Sequence, residues 1–231
     1  MATKGALKFI KDGEIIPIFS DTYLDELKIT DAEKFRYQIQ ANAAETFCFD
    51  ESEKVHWTKI GSPTITSANS KWGKALQCSS GNYIQSKEKI FIGGRDFTID
   101  LWVYINSSSA NQTNIFALDN DLKLEKGSSL NVRWGTIGGS VSTTSGYNYL
   151  LHFELCYQQS SGKLYPFING ALGYTRDHAV SRGIRTIILG GATCAISEFR
   201  ILDGVCLHTS NFSVPTEKYS ADYRTVNLLQ F

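Results

Sequence analysis

The sequence predicts an all-β fold, a sandwich or a barrel, and three observations lead there. Apolar residues recur at every second position within short segments. Glycine-rich turns separate those segments at regular spacing. No heptad, low-complexity tract or proline-rich linker interrupts them. A length of 231 residues suits one large sandwich, with or without a small appendage.

Residues 1–43 differ in texture from the rest. Leu7–Ile10 and Glu14–Ile16 flank Lys11-Asp12-Gly13, and Asp-Gly between apolar runs signals a hairpin because both residues tolerate positive φ. Pro17 makes the second run an edge strand. Phe35, Tyr37 and Ile39 alternate with polar residues as a strand would, although Thr30–Glu33 also reads as a capping box for a short helix.

From Thr46 onward the strands come quickly. Thr46–Phe49, Ala75–Cys78 and Asn82–Ile84 are the first, the last two joined by Ser79-Ser80-Gly81. Asp96–Ile105 is the clearest. Phe97, Ile99, Leu101, Val103 and Ile105 fall on one face, and Thr98, Asp100, Trp102 and Tyr104 on the other. Asn114–Leu118, Leu130–Trp134, Asn148–Gln158, Lys163–Asn169, Thr186–Leu189, Ala195–Leu202 and Thr225–Phe231 follow. A short helix is expected near Asp177–Ser181. Ala43–Phe49 and Arg224–Phe231 echo one another and are expected to pair, closing the domain.

Composition excludes some classes of function. Charged residues make up 20%, and 23 basic residues balance 23 acidic ones. A nucleic-acid binder needs a basic excess to displace counterions, so no nucleic-acid partner is expected. No apolar run approaches the ~18 residues that span a bilayer, so no membrane partner is expected. The start of the chain lacks an apolar signal core, which reads as synthesis in the cytoplasm with reduced thiols. The five cysteines form no CxxC pair, which speaks against a thiolate zinc site. The four histidines are scattered and read as ordinary surface or strand residues.

Several segments in order resemble the laminin-G-like branch of the concanavalin A-type lectin/glucanase superfamily. They are Phe47–Ser52, Lys71–Leu76, Asn82–Ile84, Asp96–Val103, the hairpin Phe167-Ile168-Asn169-Gly170, Ile188–Gly191 and Ile196–Ile201. The tail Thr209–Thr216 is similar to a closing motif of phage and prophage virion proteins. The resemblance implies a two-sheet antiparallel jelly roll over 44–231 with a concave front sheet. Residues 1–43 then form a small β-rich segment for attachment or oligomerisation. It implies no ligand by itself, because the fold hosts lectins, hydrolases, lyases and structural modules. A lectin-type fold without a signal and with an odd cysteine count fits a virion, whose proteins fold in host cytoplasm and escape by lysis.

Glycoside hydrolysis needs two carboxylates flanking the bond. The E-x-D-x-x-E run of the superfamily's glucanases is absent, and so is the G-x-S-x-G elbow. The enzyme alternative therefore rests on an atypical pair, Asp100 and Glu154. The expectation is a non-catalytic module, a lectin-like or structural tail component that contacts glycans or partner virion proteins. Its candidate binding residues are Asp100, Trp102, Tyr104, His152, Glu154 and Arg200, which alternation places on the front face, away from the core. Sugars bind such aromatic and polar surfaces. Alternatively, loops cover that face. Burying Trp102 removes ~200 Å² from water, worth ~5 kcal/mol gross, which favours a cover. Trp57, Trp134, Tyr147 and Tyr149, in or near loops, are the candidates for an exposed stacking platform. Calcium is the one cofactor candidate, through Asp50 or Glu198. The turn where the family often carries two aspartates reads Cys78–Asn82 and has neither.

Overall fold

The computed structural model describes residues 8–11, 14–17, 55–106, 113–119, 122–126, 131–136, 139–144, 148–222 and 224–231, with the backbone alone at 8–17 and 131–144. The chain divides into two compact units, Met1–Asp50 and Glu51–Phe231. In the first, β1 (Lys8–Lys11) pairs antiparallel with β2 (Glu14–Pro17), Lys11 opposite Glu14. Asp12-Gly13 lies between them, as the turn signal predicts. The expected strands at Phe35–Gln40 and Ala43–Phe49 lie outside the described residues.

The second unit is a two-layered antiparallel sandwich. Its strands are β3 (Trp57–Ile60), β4 (Thr64–Thr66), β5 (Ala75–Cys78), β6 (Tyr83–Ser86), β7 (Ile90–Ile92), β8 (Phe97–Ile105), β9 (Thr113–Leu118) and β10 (Leu122–Lys126). Next come β11 (Asn131–Thr136), β12 (Gly139–Thr144), β13 (Leu150–Gln158), β14 (Lys163–Ile168), β15 (Ala171–Leu172) and β16 (Arg176–Asp177). The last are β17 (Gly183–Arg185), β18 (Ile187–Gly190), β19 (Cys194–Asp203) and β20 (Thr225–Gln230). The back sheet has seven strands in the order β12-β11-β10-β9-β18-β6-β3. The front sheet has nine, in the order β15-β14-β13-β8-β19-β5-β4, with β16 beside β14 and β20 beside β19. A small ribbon pairs β17 with β7. Among the described residues no helix is long and apolar enough to cross a membrane.

The core lies between the sheets. Phe97, Ile99, Leu101, Val103 and Ile105 of β8 are fully buried, and so are Ile115, Phe116 and Leu118 of β9 opposite them. Phe116 of the back sheet meets Phe199 of the front sheet at 5.5 Å between ring centroids. Gly190 marks a close approach at the end of β18. Its φ is +105°, and a Cβ there would sit 2.4 Å from the Cys78 sulfur.

One sequence expectation is corrected. No helix forms at Asp177–Ser181: β16 pairs with β14, and the His178 amide donates to the Gly162 carbonyl. Trp57 opens β3 at the edge of a loop, half-buried and edge-on to Phe199, because a large ring beside the core gains more from packing than from water. Trp134 likewise falls on a strand, β11, in register with Leu124.

Candidate functional site

The outer face of the front sheet is a grid of polar side chains set by strand register. Antiparallel pairing aligns β13, β8 and β19, and alternation turns one residue of every two away from the core. The rows are Cys156–Thr98–Leu202, Glu154–Asp100–Arg200 and His152–Trp102–Glu198. A register shift between Ile196 and Glu198 keeps Glu198 and Arg200 on this face while Phe199 stays in the core.

The grid is not open to water. Asp100 and Glu154 are each 1% exposed, Trp102 4% and His152 0%. The cover is the segment 204–222, a strap that leaves β19 and returns as β20. The Thr98 hydroxyl donates to the Val205 carbonyl and accepts from the Leu207 amide, both at 3.0 Å. His208 Nδ1 meets Glu154 Oε1 at 2.7 Å, and the His208 ring stacks on Phe212. Phe212 packs edge-on against Phe167 and His152. Its amide donates to the Gly170 carbonyl at 3.0 Å. Gly170 has φ +75°, and a Cβ there would lie 2.0 Å from the Phe212 carbonyl oxygen, so the hairpin turn must be glycine for the strap to seat. Farther along, the Tyr219 hydroxyl meets His152 Nε2 at 2.9 Å. A second cover comes from the loop before β5, where the Lys71 ammonium sits 4.1 Å from the Trp102 ring centre.

Each charge in the grid has a partner. Arg200 donates to both Asp100 oxygens, at 3.3 and 2.7 Å, and lies over the Tyr219 ring. Glu198 accepts from Trp72 Nε1 at 3.0 Å, the Tyr219 amide at 3.2 Å and Gln230 Nε2 at 3.2 Å. Burial pushes Asp100 up to about 7 despite the pull of Arg200, with Glu154 and Glu198 adding repulsion. Burial, together with the positive charge of Arg200, drives His152 down to about 3. Burial also raises Glu198 and holds Tyr219 well above its ordinary value. The Trp102 Nε1 and His152 Nδ1 atoms are buried without a hydrogen-bond partner. Among the described residues, two triads could hold a metal ion: Asp100–His152–Glu154 and Glu154–Cys156–His208, each with its ligand atoms within 4.8 Å of one another.

Asp100, Trp102, His152, Glu154, Arg200 and Glu198 thus come together under the strap. Tyr104 stands at the open end of the same face, half-buried, its hydroxyl 3.5 Å from Asn148 Oδ1. Tyr149, the residue before the Leu150 that pairs with Tyr104, is 65% exposed. Trp134 is described in its backbone alone, and Tyr147 and Asp50 lie outside the described residues. Sequence reasoning missed Cys156, His208, Phe212 and Tyr219. Alternation on β13 places Cys156 on the same face as Glu154. The strap residues follow no period, and nothing short of the fold pairs them with the grid.

No family model matches the sequence, and no curated protein matches it. Among solved structures the chain is similar to the binding domain of Paraclostridial Mosquitocidal Protein 1, with TM-score 0.54 and 14% identity. That match covers 67% of this chain and spans 45% of the other. It is also similar to domain 4 of AbnA, a GH43 extracellular arabinanase from Geobacillus stearothermophilus, in complex with arabinotriose. There the TM-score is 0.51 and the identity 19%, over 65% of this chain and 83% of that one. At such identities the likeness is one of fold alone.

Proposed function

We propose that this chain is a non-catalytic carbohydrate-binding module of a phage or prophage tail-associated protein. Glycan is engaged at the open end of the front sheet, on Tyr104, Asn148 and Tyr149. The single observation that carries the reading is the strap. It takes up the polar face internally and leaves aromatic surface at the sheet's end.

Catalysis on a polysaccharide requires two carboxylates that flank a bond the substrate can bring to them. Asp100 and Glu154 face each other in register, but both are buried, one bound by Arg200 and the other by His208. A sugar chain has no path to that pair while the strap is seated. Tyr149, by contrast, offers an exposed ring for stacking on a pyranose or furanose face, with the Asn148 amide beside it. Arabinotriose on the arabinanase domain indicates the class of ligand that this fold can take. The similarity of Thr209–Thr216 to a virion closing motif supports the tail setting, and here that motif is the part of the strap holding Asn211 and Phe212. Residues 1–43 then attach the module to a partner virion protein or to further copies of itself.

The test is a glycan array with the full chain, followed by calorimetry on the hits. Binding without release of sugar is expected, and Tyr149→Ala weakens it about tenfold, the loss of roughly 1.4 kcal/mol of stacking. Sugar release from a polysaccharide panel, abolished by Glu154→Gln, overturns the reading in favour of an enzyme. A silent array together with a large assembly in light scattering overturns it in favour of a scaffold.

A further inference from the structure

Glu154 and Cys156 stand two apart on β13, so both face the strap. Cys206 and His208 stand two apart on the strap itself. The two pairs meet. Glu154 Oε1 lies 2.7 Å from His208 Nδ1 and 3.1 Å from the Cys156 sulfur. The ligand atoms of Glu154, Cys156 and His208 all fall within 4.8 Å of one another. The Cys206 thiol lies next to the Cys156 thiol, outside that 4.8 Å set, and is the nearest group on the strap to supply a fourth ligand. Contacts that use none of those side chains hold the strap here: the Leu207 amide donates to the Thr98 hydroxyl, and that hydroxyl donates to the Val205 carbonyl, both at 3.0 Å.

We propose that Glu154, Cys156, Cys206 and His208 form a tetrahedral site for a zinc-class divalent cation, which fastens the strap to the front sheet.

The donor set decides the class of ion. Thiolate, imidazole and carboxylate are the ligands of tetrahedral zinc, whereas calcium requires six to eight oxygens. Metal–ligand bonds of ~2.0–2.3 Å set tetrahedral ligand atoms roughly 3.3–3.8 Å apart, and Glu154, Cys156 and His208 already lie within 4.8 Å of one another, so Cys206 alone has to move in. The neighbouring triad, Asp100–His152–Glu154, is the poorer site. Arg200 holds a permanent positive charge 2.7 Å from Asp100 and repels a cation there. Access also favours the first set. Glu154 and Cys156 are buried anchors, while Cys206 and His208 are partly exposed and admit the ion from solvent. On binding, each thiol releases its proton to solvent and the cation takes the proton's place on sulfur, so no oxidant or reductant is needed. Sequence spacing concealed the site. The criterion of closely spaced cysteines looks for CxxC, but here E-x-C and C-x-H come together across 52 positions.

The experiment is a cobalt(II) titration of the full chain with its thiols kept reduced, followed by zinc(II). One equivalent of cobalt is expected to produce a thiolate-to-cobalt charge-transfer band with the ligand-field bands of a tetrahedral ion. Zinc bleaches both, and either ion raises the thermal midpoint. Cys206→Ser and His208→Asn change partly exposed side chains and leave the core intact. Each is expected to weaken cobalt binding by at least about tenfold. Absence of the bands at one equivalent overturns the site. So do bands of full strength and affinity in both variants, which would put the ion on other ligands.

Discussion

The inner face of the front sheet and the strapped part of its outer face are both dry, yet they exclude water by different means. The inner face does so by packing: Phe97, Ile99, Leu101, Val103 and Ile105 need nothing from their neighbours except shape. The outer face does so by pairing: Asp100 needs Arg200, Glu154 needs His208, and His152 needs Tyr219. Apolar packing tolerates exchange of one side chain for another of similar volume. A paired polar face does not, because removing one partner strands the other without water. The strap is therefore a cover whose fit depends on chemistry more than on volume.

The largest effect is expected on the packed face. Leu101→Asp puts an unpaired carboxylate between the sheets, which costs more than about 4 kcal/mol and abolishes the cooperative urea transition seen by circular dichroism. Next comes the paired face. Arg200→Met leaves Asp100 buried without its countercharge, at a cost of about 3–5 kcal/mol in the same assay. Adding Asp100→Leu recovers most of that loss. A cost below about 1 kcal/mol for the single change would mean that Asp100 sheds its charge by taking up a proton or already has water. The smallest effect belongs to the exposed rim, where Tyr149→Ala shifts stability by no more than about 0.5 kcal/mol while glycan affinity drops.

Much of the inner face was legible in the sequence. Five apolar side chains at alternate positions of β8 have one economical arrangement, against a second sheet, and β13 and β19 repeat the pattern. The outer face was only half legible. Alternation identifies which residues point there, but Asp100 and Trp102 are chemically compatible with water or with a lid. What distinguishes the two is a strap more than a hundred positions downstream of Asp100, with Tyr219 and His208 at no periodic spacing. Short strands were lost for a related reason. Leu122–Lys126 and Arg176–Asp177 carry too few alternations to stand out, and their pairing partners, β9 and β14, define them. The exposure of Tyr149 was legible at the rim, since it follows the turn residue Asn148 (φ 65°) and precedes the strand.

The paired face also makes a claim about protons. The folded chain holds His152 neutral down to about 3, whereas the unfolded chain protonates it near its ordinary 6.5. Its contribution to stability is therefore complete above pH 6.5 and is lost as pH falls toward 3. Nuclear magnetic resonance of the His152 ring across that range, with a chelator present, tests the sealed face most directly. The account predicts a neutral ring whose shifts stay constant from pH 7 to below pH 4 while the protein remains folded. A titration centred near pH 6.5 in the folded protein would contradict it, because water and protons would then reach the grid beneath the strap.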